Sequence, residues 1–312
     1  MSNPKQNSYS NAIDVVCLTF VALLLILTVA FPGKVLNASV LAKELFIAGS
    51  LYFIGTLIVR QLSNGFLNTV LQTLLVLALF SFLFKAVDGF QHLLINGWMD
   101  DTLLSMEYWL TGTESTLILQ KLTNPILTEW MMFAYVLYIP LLPAIALICY
   151  SSAGVEGTRD YLFNLSLANV VCYVGFILFP VASPLYHWPE LYTVSLDGGF
   201  FAWCGEWIRH TQHYAGGSLP SPHCAAGTIM FAMAYRYNRK IFYISLPTFL
   251  TLYVSTVYGR YHYVWDGIAG ILAAVLVLKY SPKLVTVIES LRNRLSSLHP
   301  VSPMPESISE YE

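Results

Sequence analysis

Long apolar runs separated by short polar breaks dominate the chain, and most are too long to be strands. A helix needs about 20 apolar residues to cross the hydrocarbon core of a bilayer. By that measure the pattern predicts eight spans: Ala12–Phe31, Leu41–Val59, Phe66–Val87, Trp130–Tyr150, Tyr161–Val181, His223–Tyr237, Ile241–Val257 and His262–Lys279. The sixth is the shortest. An even number returns both chain ends to one side. Placement of the cations then orients the bundle. With the termini cytoplasmic, ten of the 16 lysines and arginines fall at inner loops and ends and six at outer ones.

Two outer segments are longer than simple turns. Residues 88–129 contain Asp100-Asp101-Thr102 ahead of Leu103, Leu104, Met106, Tyr108, Trp109 and Leu110. Acids in a first turn fit a helix start. The stretch is too polar to span, so it is expected to lie along the interface, broken at Gly112 and at Asn124-Pro125. A cover over the bundle and a lid that admits lipid both fit it. Residues 182–220 are rich in Trp, Tyr, Gly and Pro, and Trp188, Trp203 and Trp207 suit the headgroup level. From Ser281 the chain is polar and proline-spotted, and a disordered tail without chemistry is expected.

Composition supports this reading. Of 312 residues 56% are hydrophobic and 11% charged, whereas soluble domains carry about 25% charged residues. Mean hydropathy is +0.60. A formal net charge of -2 and the lack of a basic run leave no nucleic-acid footprint. The five cysteines form no C-x-x-C pair. Cys17, Cys149 and Cys172 lie in spans and read as small hydrophobes. Cys204 and Cys224 fall on one side, although nothing supports a disulfide between them. The polar N-terminus lacks a signal-peptide cleavage site, so the first span is expected to remain as an anchor. Glycine-rich phosphate loops, H-E-x-x-H pairs and G-x-S-x-G elbows are absent.

Candidate chemistry concentrates in two runs, Ser218-Leu219-Pro220-Ser221-Pro222-His223 and Arg260-Tyr261-His262-Tyr263-Val264-Trp265-Asp266. Each opens an apolar segment, and the hairpin between them returns the chain to the side it left. His223, His262 and Asp266 are therefore expected at one membrane surface. On a helix, His262 and Asp266 would share a face one turn apart. A carboxylate there can fix one imidazole nitrogen and leave the other as nucleophile or base. Proline just inside a helix start is favourable, and the free N–H groups beside His223 make an anion site. Ser221 adds a hydroxyl donor. A histidine at a helix end can simply meet water or headgroup phosphate, but ionisable groups in spans are costly and tend to be functional.

These runs resemble the P-S-x-H and H-x-x-x-D motifs of the type 2 phosphatidic acid phosphatase superfamily. The similarity is greatest to the branch that includes inositol phosphorylceramide synthases and related bacterial membrane proteins. A looser similarity covers roughly Asp100 to Lys279, including the proline-bounded Phe179-Pro180-Val181-Ala182-Ser183-Pro184. The resemblance implies an all-α polytopic membrane bundle: a six-helix core over residues 66–280, two added N-terminal helices within 1–65, interfacial helices on the outer side and a cytoplasmic tail over 281–312. It implies that His262 attacks phosphorus to form a phosphohistidine, with Asp266 orienting it. His223 would protonate the leaving oxygen and then deprotonate an incoming water or alcohol. Ser221 and nearby backbone would hold phosphate oxygens, with no metal or other cofactor. The implied substrate is a lipid phosphate or phospholipid, with an alcohol or lipid acceptor where transfer replaces hydrolysis.

The chain departs from the family pattern at its cations. The phosphatases carry a Lys…Arg-Pro element and a Ser-Arg six residues before the second histidine, where this chain has Ser255-Thr256. Many relatives place arginine where Leu185 stands. A transferring phosphoryl group needs cationic stabilisation, and Arg260 and Arg209 are the outer arginines available. Either could instead be a snorkelling, headgroup-binding arginine. Cys204, Glu206, His210, His213, His223 and Cys224 could be read as zinc ligands, but their spacing fits no zinc motif. Three functions follow: a membrane lipid phosphatase or phosphotransferase, a catalytically silent relative that binds or transports lipid, and a metal-dependent hydrolase.

Overall fold

The computed structural model describes residues 8–298; the last part of the expected tail, residues 299–312, lies outside them. The described residues form an all-helical bundle without strands. Its long helices are α1 (Ser8–Ala30), α2 (Ala38–Arg60), α3 (Gly65–Ala86), α6 (Pro125–Leu178), α9 (Pro222–Tyr237), α10 (Arg239–Tyr258) and α11 (Val264–Leu298). Shorter helices are α4 (Asp100–Thr111), α5 (Ser115–Gln120), α7 (Pro184–His187) and α8 (Phe200–Gln212). Six helices are long and apolar enough to cross a membrane.

One of those six, α6, is two arms. Ala153 (φ -141°) and Gly154 (φ 63°, ψ -155°) leave helical geometry, the second in a region that glycine reaches at little cost. Beyond the break the chain doubles back, so that Thr158 Oγ1 donates to Ala146 O (3.0 Å) and Tyr161 Oη to Leu142 O (3.0 Å). The arms carry the predicted fourth and fifth spans. The predicted sixth, α9, has 16 residues and lies inside the bundle rather than against lipid. Ala225, Ala226, Ile229, Met230, Met233 and Ala234 are all at most 1% exposed.

Outward faces are apolar. On α2, Phe46 (66% exposed), Leu51 (64%) and Ile58 (58%) point away from the protein. In water such a belt would be an aggregation liability, and in lipid it is the ordinary solvent-facing surface. Because lipid tails are as apolar as leucine, helix association in the membrane relies on close packing. At Gly270 a Cβ would lie 2.4 Å from Ser221 O, so α11 and α9 meet backbone to backbone. No side chain fits there.

Contacts sort the bundle into two ends. At one, Asp14 pairs with Arg60 and accepts from Tyr52 Oη (2.9 Å), and Asp160 accepts from Arg236 (2.5 Å) and Tyr237 (2.8 Å). Pairing is how ionisable groups on apolar helices are tolerated. The other end gathers the loop after α1, the loop after α3, α4, α8 and both motif runs. Leu36 N donates to Gly89 O (3.0 Å), and Gln91 Oε1 accepts from Gly217 N (2.9 Å).

The connecting segments partly follow expectation. A helix begins at Asp100, Gly112 ends it with φ 74°, and Asn124 caps α6 with Pro125 in its first turn. On α4, Trp109 (82% exposed) and Tyr108 (54%) face outward while Asp100 and Glu107 are buried. Residues 182–220 hold an unpredicted helix, α8, which exposes Phe200 (65%), Trp203 (65%) and Trp207 (57%). The expected tail also differs: α11 runs through Ser281 and Pro282 to Leu298. Its polar residues are those of a helix extended past the apolar span.

Candidate active site

Ser221 is the N-cap of α9, its Oγ accepting from Cys224 N at 3.3 Å, and Pro222 fills the first turn. That arrangement leaves His223 on the first turn, where helix N–H groups lack intrahelical acceptors. Ser221 is fully buried, and its N–H donates to Asp266 O at 2.9 Å. The two motif runs are thus joined through backbone.

His262 and Asp266 meet, though by a different geometry from shared helical spacing. His262 precedes α11, which starts at Val264. Asp266 sits in the first turn and reaches back, its Oδ2 accepting from Tyr263 N at 2.9 Å. A carboxylate bonding the N–H just ahead of its own helix is a capping interaction. It turns Oδ2 toward His262 Nδ1, 3.4 Å away.

Ser218 closes the gap. Its Oγ lies 2.6 Å from Asp266 Oδ2 and 3.1 Å from His262 Nδ1. A hydroxyl has one proton; donating it to the carboxylate leaves an oxygen lone pair for Nδ1–H. That arrangement favours the neutral tautomer with its proton on Nδ1, in which Nε2 keeps its lone pair. That nitrogen faces His223 Nδ1 at 3.4 Å. His262 is 3% exposed and Asp266 and Ser218 at most 1%, so the relay is dry while His223 stays partly accessible.

Aromatic rings hold His223. Tyr135 stacks on it (4.9 Å between centroids, 28°), and Tyr138 lies 4.9 Å away at 49°. Tyr135 also stacks on Tyr261 at 4.7 Å. Such pairs are worth about 0.5–1.5 kcal/mol each beyond area burial. His223 opens onto a cavity of about 390 Å³ whose walls include Phe80 and Phe84 of α3, Tyr138, Leu142 and Tyr173 of α6, and Trp207 and His213.

A family model described as the PAP2 superfamily matches residues 101–280, more than half of the 312-residue chain. The chain belongs to the PAP2 superfamily. No curated protein and no solved structure matched. The PAP2 stretch begins inside α4 and ends inside α11, so α1–α3 stand outside it.

In this PAP2 protein the two candidate phosphate-binding arginines are held by protein groups. Arg260, at φ 66°, donates to Val194 O and to Gln120 Oε1 (3.2 Å), and its guanidinium lies 4.6 Å from the Tyr192 ring centroid. Arg209 is paired through two nitrogens with Glu206, which also meets His210 at 2.9 Å. Cys204 and Cys224 are both free thiols. Among the described residues no group of three or more His, Cys, Asp or Glu side chains is arranged to hold a metal ion.

Several contributors to the site carried no distinguishing signal in the sequence. Asp100, an ordinary helix-start acid by position, accepts from Ala182 N (2.8 Å), Ser183 N (3.1 Å) and Tyr263 Oη (2.9 Å). Glu107, two turns on, accepts from Val264 N (2.6 Å) and Ser115 N (2.8 Å). Helix α4 therefore grips the chain on either side of the candidate site. Burial pushes both carboxyls above the ordinary carboxylate range, against the opposing pull of the hydrogen bonds they accept. At Gly216 (φ 117°) a Cβ would lie 1.8 Å from Gln91 Oε1, so glycine lets the loop before Ser218 close on Gln91.

Proposed function

We propose that this PAP2 superfamily protein is an integral membrane lipid phosphatase or phosphotransferase that works through a phosphohistidine. Its substrate would be a lipid phosphate or phosphodiester at the extracytoplasmic face, with the termini cytoplasmic. The observation that supports the reading is the hydrogen-bonded chain Asp266–Ser218–His262, which engages Nδ1 and turns Nε2 toward His223. In the first step the Nε2 lone pair attacks phosphorus, the ester P–O bond breaks, and protonated His223 gives its proton to the leaving oxygen. In the second, neutral His223 takes a proton from water or an alcohol as that oxygen attacks phosphorus and the N–P bond breaks. Ser221 and the N-terminal amides of α9 would hold phosphoryl oxygens, aided by Arg260 or Arg209.

A near-attack phosphorus lies about 3–3.5 Å from its nucleophile. It cannot fit between nitrogens that are 3.4 Å apart, so substrate must part the two rings. Hydrolysis and transfer share the covalent intermediate and differ only in whether water or an alcohol attacks second, so both stand in this reading.

Purified protein offered a panel of lipid phosphates, with and without an alcohol acceptor, tests this. Labelled substrate should leave acid-labile phosphate on the protein, and His262→Ala should abolish it. Normal turnover by His262→Ala, His223→Ala and Asp266→Asn together would refute the mechanism. Chelation should leave turnover unchanged. The second reading, a silent phospholipid-binding relative or transporter, draws on the engagement of Arg260 and Arg209 by other protein groups. Turnover in detergent would exclude it as the sole activity.

A further inference from the structure

A phosphoryl group needs cationic or hydrogen-bond stabilisation, and Arg260 and Arg209 are both engaged by protein groups, which directs attention to the other polar side chains of the cavity. His213 follows α8 directly, and its N–H is bonded to Arg209 O at 3.3 Å. Its ring runs nearly parallel to that of His223 (6.4 Å between centroids, 27°), and both line the same cavity. Tyr135 Oη sits 2.9 Å from His213 Nε2. The same Tyr135 ring stacks on His223, so one residue fixes the spacing of both imidazoles. Tyr261 closes the other side at 4.7 Å. Nδ1 of His213 has no hydrogen-bond partner among the described residues.

We infer that His213 is a third imidazole of the site, donating a hydrogen bond to a phosphoryl oxygen where an arginine is missing. This rests on the phosphoryl-transfer reading above and assigns that site its anion contact. A Tyr135 hydroxyl that donates to Nε2 places the ring proton on Nδ1. The charged and titratable groups around His213 are Arg209 and Glu206 on its own helix, Tyr135 on α6, His223 on α9, and Tyr261 and His262 from the second run. None of the neighbours from other elements is a carboxylate, so an arriving anion meets no like charge from them. Burial, with help from the neighbouring His262 and Arg209, holds the His213 imidazole down to about 4. A bound phosphate reverses that balance, because an opposite charge within reach favours the protonated ring.

Calorimetric titration of the full-length protein with inorganic phosphate, in two buffers of different ionisation enthalpy, tests the inference. His213→Gln should weaken phosphate binding by about tenfold or more. It should also remove proton uptake that accompanies binding to wild type. Tyr135→Phe keeps both stacking partners, and should weaken binding by a smaller factor. Equal affinity and equal proton uptake in wild type and His213→Gln would overturn the inference, as would a wild type that binds no phosphate. Phosphate binding that depends on His213 without lipid-phosphate turnover would instead overturn the catalytic reading alone.

Discussion

Ser218 is the residue whose role is most sharply set by distance. It bonds both members of a pair that are themselves 3.4 Å apart, at 2.6 Å and 3.1 Å. Ser218→Ala should leave the fold intact and lower kcat. Hydrogen bonds to charged groups are worth about 1.5–3 kcal/mol, so the loss is expected at about 10- to 100-fold, read from initial rates on the best lipid phosphate. His213 supplies a second prediction. Its imidazole sits at about 4 instead of 6.5, so the unfolded chain binds that proton more tightly. Its contribution to stability is complete above about 6.5 and declines as pH falls toward 4, by up to about 3 kcal/mol. Thermal unfolding in detergent across that window should show the decline, and His213→Gln should flatten it. His223, His262 and Asp266 were legible because each stands in a short run with its own local chemistry. Ser218 stands in the same run, but the sequence alone assigns it no role because its partners lie 44 and 48 residues away.

Among the elements, α4 and the α9–α11 contact carry the most consequence. Asp100→Ala would leave three donors without their acceptor, two of them backbone N–H groups of the proline-bounded loop. Each buried unsatisfied donor costs about 1–3 kcal/mol, so stability should fall by several kcal/mol. Asp100→Asn keeps an acceptor oxygen and should be milder in the same unfolding assay. Gly270→Val must push α11 away from Ser221 O, 2.4 Å from the added carbon. Overpacking of this kind costs about 1–3 kcal/mol, and kcat should drop more than stability because the same contact aligns His223 with Asp266. The start of α4 could be read from Asp100-Asp101. Its clamping role could not, since a first-turn acid reads as a partner of the helix dipole. Helix α8 is hard to read from the sequence because glycines flank it and its exposed Trp203 and Trp207 equally fit an irregular headgroup loop.

For the whole molecule, apolar run length was enough to foresee an all-helical membrane bundle, and the reversal at Ala153-Gly154 accounts for the fourth and fifth runs forming one 54-residue helix with a break. Sidedness is open to direct measurement. Single cysteines at Asn37 and Asn96 should react with an impermeant thiol reagent from one side, and those at Ser63 and Asn238 from the other. Labelling of all four from one face would refute the two-ended arrangement. One further consequence concerns the helix that precedes the family-matched stretch. Phe80 and Phe84 belong to α3, yet they wall the chamber beside His223. A shortened protein beginning near residue 101 would keep every motif residue and lose that wall. Its chemistry would then face open lipid, and discrimination among tails should vanish before reactivity does.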